Sequence, residues 1–282
     1  DQFTGRPRAT VAVVREPGLK ARIVTKSSGF AVTLGHMARE RMFIGLRREP
    51  ALRHVLLGDE DGALRTLLPS SGSVLSSDLS RASDLLPLDL VGALVDGLVA
   101  SERFREGEVL GLRACTGPQC VSWPSLSCEK LSSRGILMGL PTTWGLLCLY
   151  HLFVIEQAAQ SEPTPLPQRP GDVPEQTNPV KWIICGDDAL IVGSDIVLNE
   201  YDRLLTATGA KLSPGKHWRS RSGRGVFLEK PLCLRKEEGP EPSLLDMAGR
   251  RRWVDVSIEP TITLRGLVFP TAGLHQGALC AV

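Results

Sequence analysis

The sequence predicts an α+β fold, since short β-type runs and helical patterns interleave along its 282 residues without an internal repeat. Two features carry most of that expectation. Apolar runs at 182–185 (Trp-Ile-Ile-Cys) and 189–193 (Ala-Leu-Ile-Val-Gly) flank Gly186-Asp187-Asp188, which reads as a hairpin with an acidic tip. From Pro87 onward, Leu88, Val91, Leu94, Val95 and Leu98 recur at helical spacing behind a proline suited to a helix start.

The remaining elements follow in order. Residues 73–77 (Ser-Val-Leu-Ser-Ser) form a strand-like run leading straight into Asp78. Residues 135–155 carry no formal charge and are long enough for a bilayer span. Gly135, Gly139, Pro141 and Gly145 interrupt that stretch, so we expect a loop to about Pro141 and a buried helix from Thr142 to about Ala159. No stable membrane span is predicted. Six prolines in 161–180 make that segment an extended surface loop.

Apolar residues are 42% and charged residues 23%, close to globular averages, which excludes disordered and fibrous classes. The length suits one to two domains of about 150 residues each. Seven cysteines form no even framework, and Cys115, Cys120 and Cys128 are spaced poorly for zinc, so reduced intracellular thiols are expected. The chain opens Asp-Gln-Phe-Thr and ends Leu-Cys-Ala-Val, as a segment of a longer polypeptide would. Net charge is only +2, but it is unevenly spread. Residues 1–50 hold ten Lys/Arg against four acids, and 211–236 hold eight against Glu229. Between them, 171–202 hold seven acids against Lys181. Two basic segments around an acidic centre suit a polyanion held at a metal site; solvated faces that segregate by accident are the equal alternative.

The acids suggest chemistry. Asp187 and Asp188 stand at a hairpin tip, and Asp78 ends a separate strand. If that strand pairs beside the hairpin, three carboxylates converge. Two magnesium ions (Mg2+) need such hard oxygen ligands, with positions left open for phosphate; Mn2+ is the alternative ion.

The order of motifs resembles that of viral RNA-dependent RNA polymerases. Asp78-Leu79-Ser80-Arg81-Ala82-Ser83-Asp84 resembles motif A, and Ser133 to Trp144 (SRGILMGLPTTW) resembles the glycine-rich loop and helix start of motif B. Cys185-Gly186-Asp187-Asp188 is similar to motif C, Lys211 to His217 to motif D, Gly225 to Glu229 to motif E, and Glu16 to Arg22 to the basic motif F. The six-residue acid spacing and the Met-Gly-x-Pro-Thr-Thr-Trp form point to the branch of ourmia-like (botourmia) viruses, mitoviruses, narnaviruses and RNA phages, with the ourmia-like group nearest.

That resemblance implies a right-hand polymerase palm, an antiparallel sheet with a Gly-Asp-Asp hairpin backed by helices, with partial fingers and a partial thumb. Partial fingers would occupy 1–70, the palm 71–230 with a fingers insertion at 101–130, and the start of the thumb 231–282. It implies template-directed RNA synthesis from nucleoside triphosphates, with RNA template and product as partners and no protein partner specified. Asp78 and Asp187 would be principal metal ligands and Asp188 a weaker one. Asp84 and Thr143 would sense ribose hydroxyls, with Gly139 letting the loop approach the nucleotide; Lys20 and Arg22 would grip the triphosphate. Lys216 would protonate the leaving pyrophosphate, with Lys211 as competitor. Each has a plainer alternative: Asp84 could cap the helix at Pro87, Thr143 could bond its own helix, and Lys216 could be a solvated residue after a turn. Leu147 stands where many positive-strand polymerases carry Asn. A truncated non-catalytic RNA-binding fragment is the rival function, and reverse transcriptase a weaker one, because Cys185-Gly186 replaces its usual aromatic-x pair. By analogy the compartment is the host cytoplasm, with the host mitochondrion as alternative.

Overall fold

The structure, a computed structural model, describes residues 7–16, 20–162, 180–236 and 251–259. Most of the expected 161–180 loop, residues 17–19 of the motif F segment and most of the expected thumb lie outside those residues. The amino-terminal half begins with β1 (Arg8–Glu16), β2 (Lys20–Ser27), α1 (Gly29–Leu46), α2 (Pro50–Leu56) and α3 (Glu60–Arg65). It continues through β3 (Ser73–Ser77), α4 (Ala82–Leu85), α5 (Leu88–Ala100), α6 (Glu106–Thr116), β4 (Cys120–Trp123) and β5 (Cys128–Leu131). Then come α7 (Thr143–Ala159), β6 (Lys181–Cys185), β7 (Asp188–Gly193), α8 (Asp195–Ala207), β8 (Trp218–Ser220), β9 (Arg224–Phe227), β10 (Lys230–Lys236) and β11 (Trp253–Ile258).

Among the described residues these strands form three antiparallel-rich sheets. The central one runs β6-β7-β3-β8, and its two faces take alternate residues of each strand because strand side chains have a period of two. Leu75, Ile184 and Ile191 point into a core built with Leu146, Tyr150 and Ile155 of α7, Met42 and Leu46 of α1, Val91 and Val95 of α5, and Leu198 and Tyr201 of α8. Val74, Ile183, Leu190 and Val192 point the other way, onto Phe227, Leu232, Leu234 and Trp253. Those last four belong to the second sheet, ordered β11-β10-β9. Each large aliphatic so buried contributes about 1.5–3 kcal/mol.

Burial on both faces explains an oddity of β3, whose three serines are all buried. Each finds a partner. The Ser73 hydroxyl donates to Asp195 (2.9 Å), Ser76 Oγ accepts from the Val226 amide (2.8 Å), and Ser77 Oγ shares a hydrogen bond with Tyr201 (2.9 Å).

The helix expected from Thr142 to about Ala159 is α7, buried over most of its first half, with Phe153, Glu156 and Gln157 exposed further along. Among the described residues no helix is long and apolar enough to cross a membrane. Stretch 101–130, expected as a fingers insertion, joins the amino-terminal hairpin: β4 pairs in parallel with β1, giving a sheet ordered β2-β1-β4-β5. The described part of 231–259 packs on the central sheet, where the Trp253 indole donates to the Gly72 carbonyl (3.1 Å).

Candidate active site

Register brings the acids together. β3 and β7 pair antiparallel from Ser73↔Gly193 to Ser77↔Ala189. One further step along both strands sets Asp78 across from Asp188. β6 and β7 close their hairpin at Cys185↔Asp188, leaving Gly186 and Asp187 as the turn. Backbone pairing thus gathers Asp78, Asp187 and Asp188 at one end of the central sheet.

The motif D segment closes on the same point. The Ser213 amide donates to the Asp78 carbonyl (2.9 Å), and the Ser80 amide donates to the Lys211 carbonyl (2.8 Å). Lys216 Nζ then lies 3.6 Å from Asp78 Oδ2, whereas Lys211 meets motif A through its backbone. Lys216 is thus the lysine of this segment whose ammonium is paired with an acid of the cluster.

Burial and like charge act together on the acids. Asp187 is exposed at the turn, yet loss of water around its carboxyl, with Asp78 nearby, holds it above the usual carboxylate range; Lys216 and Arg22 pull it back. Asp188 is pushed up to about 7, first by burial and then by the charges of Asp187 and Asp78, with Lys216 opposing and Glu229 adding. Among the described residues no group of three or more His, Cys, Asp or Glu stands as a ready metal-binding cluster. The donor chemistry nevertheless fits a hard divalent cation: the site offers carboxylate oxygens whose mutual repulsion Lys216, and for Asp187 also Arg22, partly offsets.

Motif B supplies the floor. Were Gly186 to carry a Cβ, it would stand 2.8 Å from Trp144 Nε1, so the turn packs directly against that indole. The Gly186 amide donates to Cys148 Sγ (3.3 Å), one helical turn further along α7. Burial pushes the Cys148 and Cys185 thiols up, Cys185 to about 12, so both remain protonated packing groups. Sequence reasoning quoted Trp144 only as a motif letter and missed Cys148; their i, i+4 spacing on one helix face was the available signal.

The other expected residues are placed as follows. Arg22 acts electrostatically on Asp187, which sets the motif F strand beside the acids. Lys20 opens β2, opposite Glu16 in the register. The Thr25 amide (3.3 Å) and hydroxyl (2.8 Å) both donate to the Met138 carbonyl, tying that strand to the motif B loop. At Gly139 a Cβ would meet the Thr25 carbonyl at 2.8 Å, so that glycine serves the strand contact. Thr143 is buried, and its hydroxyl donates to the Leu137 carbonyl (3.0 Å) within the motif B loop, where it can still accept from another group. Asp84 lies inside α4, its carboxyl raised chiefly by loss of water although the residue stays exposed. It does not cap α5, whose start at Pro87 has no side-chain cap.

Part of the charge segregation is internal pairing. Arg219 bonds Asp202 (2.8 Å) and Asn199 (2.8 Å), and Arg221 bonds Asp195 (2.7 Å), so basic motif D–E residues neutralise acids of α8. His217 likewise bonds Asp202 (3.0 Å). Cys115, Cys120 and Cys128 make no zinc cluster among the described residues.

The fold is shared with solved structures of viral RNA-dependent RNA polymerases. The crystal structure of the RNA-dependent RNA polymerase of a human picorbirnavirus matches with a TM-score of 0.61 at 14% identity, over 80% of this chain and 43% of that one. An insertion loop deletion mutant of the same enzyme also matches at 0.61, with 13% identity over 82% and 45% of the two chains. No protein-family model matches the chain.

By sequence, the chain is similar to narnavirus RNA-directed RNA polymerases. It is 43% identical over 274 residues to that of Saccharomyces 20S RNA narnavirus, covering 93% of this chain, and 39% identical over 250 residues to that of Saccharomyces 23S RNA narnavirus, covering 84%. Both lie within the branch that the motifs indicate. The chain spans 32% and 26% of those relatives' lengths.

Proposed function

We propose that this chain is the palm-centred part of a viral polymerase that copies RNA from nucleoside triphosphates. The observation that carries the proposal is the register placing Asp78 opposite Asp188 and beside Asp187, with Lys216 3.6 Å from Asp78.

Asp78 and Asp187, with Asp188 as a weaker ligand, would hold Mg2+, or Mn2+ in its place. Bound there, the ions supply the positive charge that activates a ribose 3′-hydroxyl and neutralises departing pyrophosphate. The chain's own groups do the rest. Arg22, with Lys20 on the same strand, grips the triphosphate, since guanidinium is a fork for phosphate and ammonium a point charge. Lys216 carries the proton for the leaving pyrophosphate. Asp84 accepts from a ribose hydroxyl. Thr143, already donating to the loop, offers its oxygen as an acceptor, and so shapes the nucleotide pocket mainly by fixing the motif B loop. On the resemblance to viral polymerases, we place the activity in the host cytoplasm.

Primer extension on an RNA template with Mg2+, comparing the chain with Asp187→Ala, tests this. Ribonucleotide incorporation that vanishes in the variant supports the assignment. Salt-sensitive RNA binding by both proteins without incorporation supports instead a non-catalytic RNA-binding fragment, which the chain's one-third share of its relatives makes the specific rival.

A further inference from the structure

α7 presents Trp144, Cys148 and His151 at i, i+4 and i+7, one face directed at the motif C turn. Trp144 and Cys148 contact Gly186 directly. His151 is fully buried, and burial holds it well below the usual histidine range, at about 4, while the Gly186 backbone favours the charged ring. At ordinary pH the ring is therefore neutral. The Gly186 backbone acts on the imidazole as a hydrogen-bond partner would, although Nδ1 makes no well-aligned hydrogen bond, so the ring meets the motif C turn through a loose contact.

Its other nitrogen leads elsewhere. Nε2 lies 3.4 Å from the Tyr201 hydroxyl, and that hydroxyl is 2.9 Å from Ser77 Oγ. Ser77 is the last residue of β3, and Asp78 follows it. Tyr201 and Ser77 are both buried. A chain of polar groups thus runs under the sheet from the Gly186-Asp187 turn, through His151 and Tyr201, to the residue preceding Asp78. Leu or Phe would fill this core without the cost of desolvating an imidazole and a phenol, so packing alone does not account for them.

We propose that His151, Tyr201 and Ser77 form a buried brace that sets the separation of the two aspartate-bearing segments, making them positioning residues for divalent-cation binding by Asp78 and Asp187. The proposal rests on the assignment of those acids as the cation site. The brace touches neither RNA nor nucleotide. It acts through the backbone on either side of the metal site.

Mn2+ binding to the full chain, read from the electron paramagnetic resonance signal of the free ion, tests it without catalysis. Tyr201→Phe removes only the hydroxyl, and Ser77→Ala is a second, smaller change should the first fail to fold. Urea unfolding is followed in parallel. The expected result is a Kd for Mn2+ raised about threefold to tenfold in each variant, the scale of one weakened hydrogen bond. A residue serving packing alone would lower the urea midpoint and leave the Kd of the folded chain unchanged, and that result overturns the brace. If the unsubstituted chain binds Mn2+ no better than Asp187→Ala, the cation-site assignment itself fails, and the brace falls with it.

Discussion

Gly135→Ala tests the docking of motif B on motif A. Gly135 has φ +85°, a region where an L side chain costs about 1–2 kcal/mol. Its Cβ would stand 2.6 Å from the Asp84 carbonyl oxygen and 2.9 Å from the Asp84 Cα, both backbone atoms that cannot rotate aside. Relief requires the loop to lift, which loosens two backbone hydrogen bonds: Gly135 amide to Leu86 carbonyl (2.8 Å) and Ile136 amide to Ser83 carbonyl (2.9 Å). At about 1 kcal/mol each, the total cost comes to about 3–4 kcal/mol. Gly215 supplies the control, with φ +78° and nothing within 4 Å of the added carbon. There the strain stands alone, at about 1–2 kcal/mol. Urea unfolding of both variants, followed by tryptophan fluorescence, separates backbone strain from collision. If Gly135→Ala costs no more than Gly215→Ala, the close approach of motif B to Asp84 is refuted.

Further outcomes are expected at the acidic cluster. Lys216→Ala should reduce incorporation about a hundredfold, in line with loss of a general acid. The lysine end of its ion pair with Asp78 is exposed and the 3.6 Å separation is long, so unfolding should change by under about 1 kcal/mol although Asp78 itself is half-buried. Lys211→Ala should leave incorporation nearly intact, and equal losses in the two variants would remove Lys216 from its role. For Asp188 the folded pKa, about 7, lies above the unfolded value near 3.8. Its carboxyl therefore favours the folded state below pH 4, and that contribution is lost as pH rises through 7. Without divalent ions, Asp188→Asn should stabilise the chain at pH 8 and not at pH 3.5. After allowance for solvent at this part-exposed site, the gain is at most about 2 kcal/mol. A urea midpoint equally shifted at both pH values would contradict the account.

Local signals in the sequence were strong where the structure is local. The 73–77 strand, the hairpin flanking Gly186-Asp187-Asp188 and the helix after Pro141 all appear where period and punctuation place them. Charge was less informative. The basic 211–236 segment and the acidic residues before it suited equally a polyanion held at a metal site and faces segregated by accident, and Arg219 and Arg221 of that segment are engaged with Asp195, Asn199 and Asp202. Composition records formal charge and cannot show which charges are already paired across a sheet and a helix.

Residue order alone determined that three acids end two β segments and that a glycine-rich loop opens a buried helix, because turns and helix starts are set by neighbours a few positions apart. Only tertiary structure decided that those acids meet. β3 lies beside β7 although more than a hundred residues separate them, and the register within that pair places Asp78 opposite Asp188. The same holds for Thr10 and Ser122, 112 residues apart on β1 and β4 (3.3 Å). It holds too for the His151–Tyr201–Ser77 chain beneath the turn. Such contacts depend on which faces the core buries together, and no spacing along one strand or helix encodes its partner.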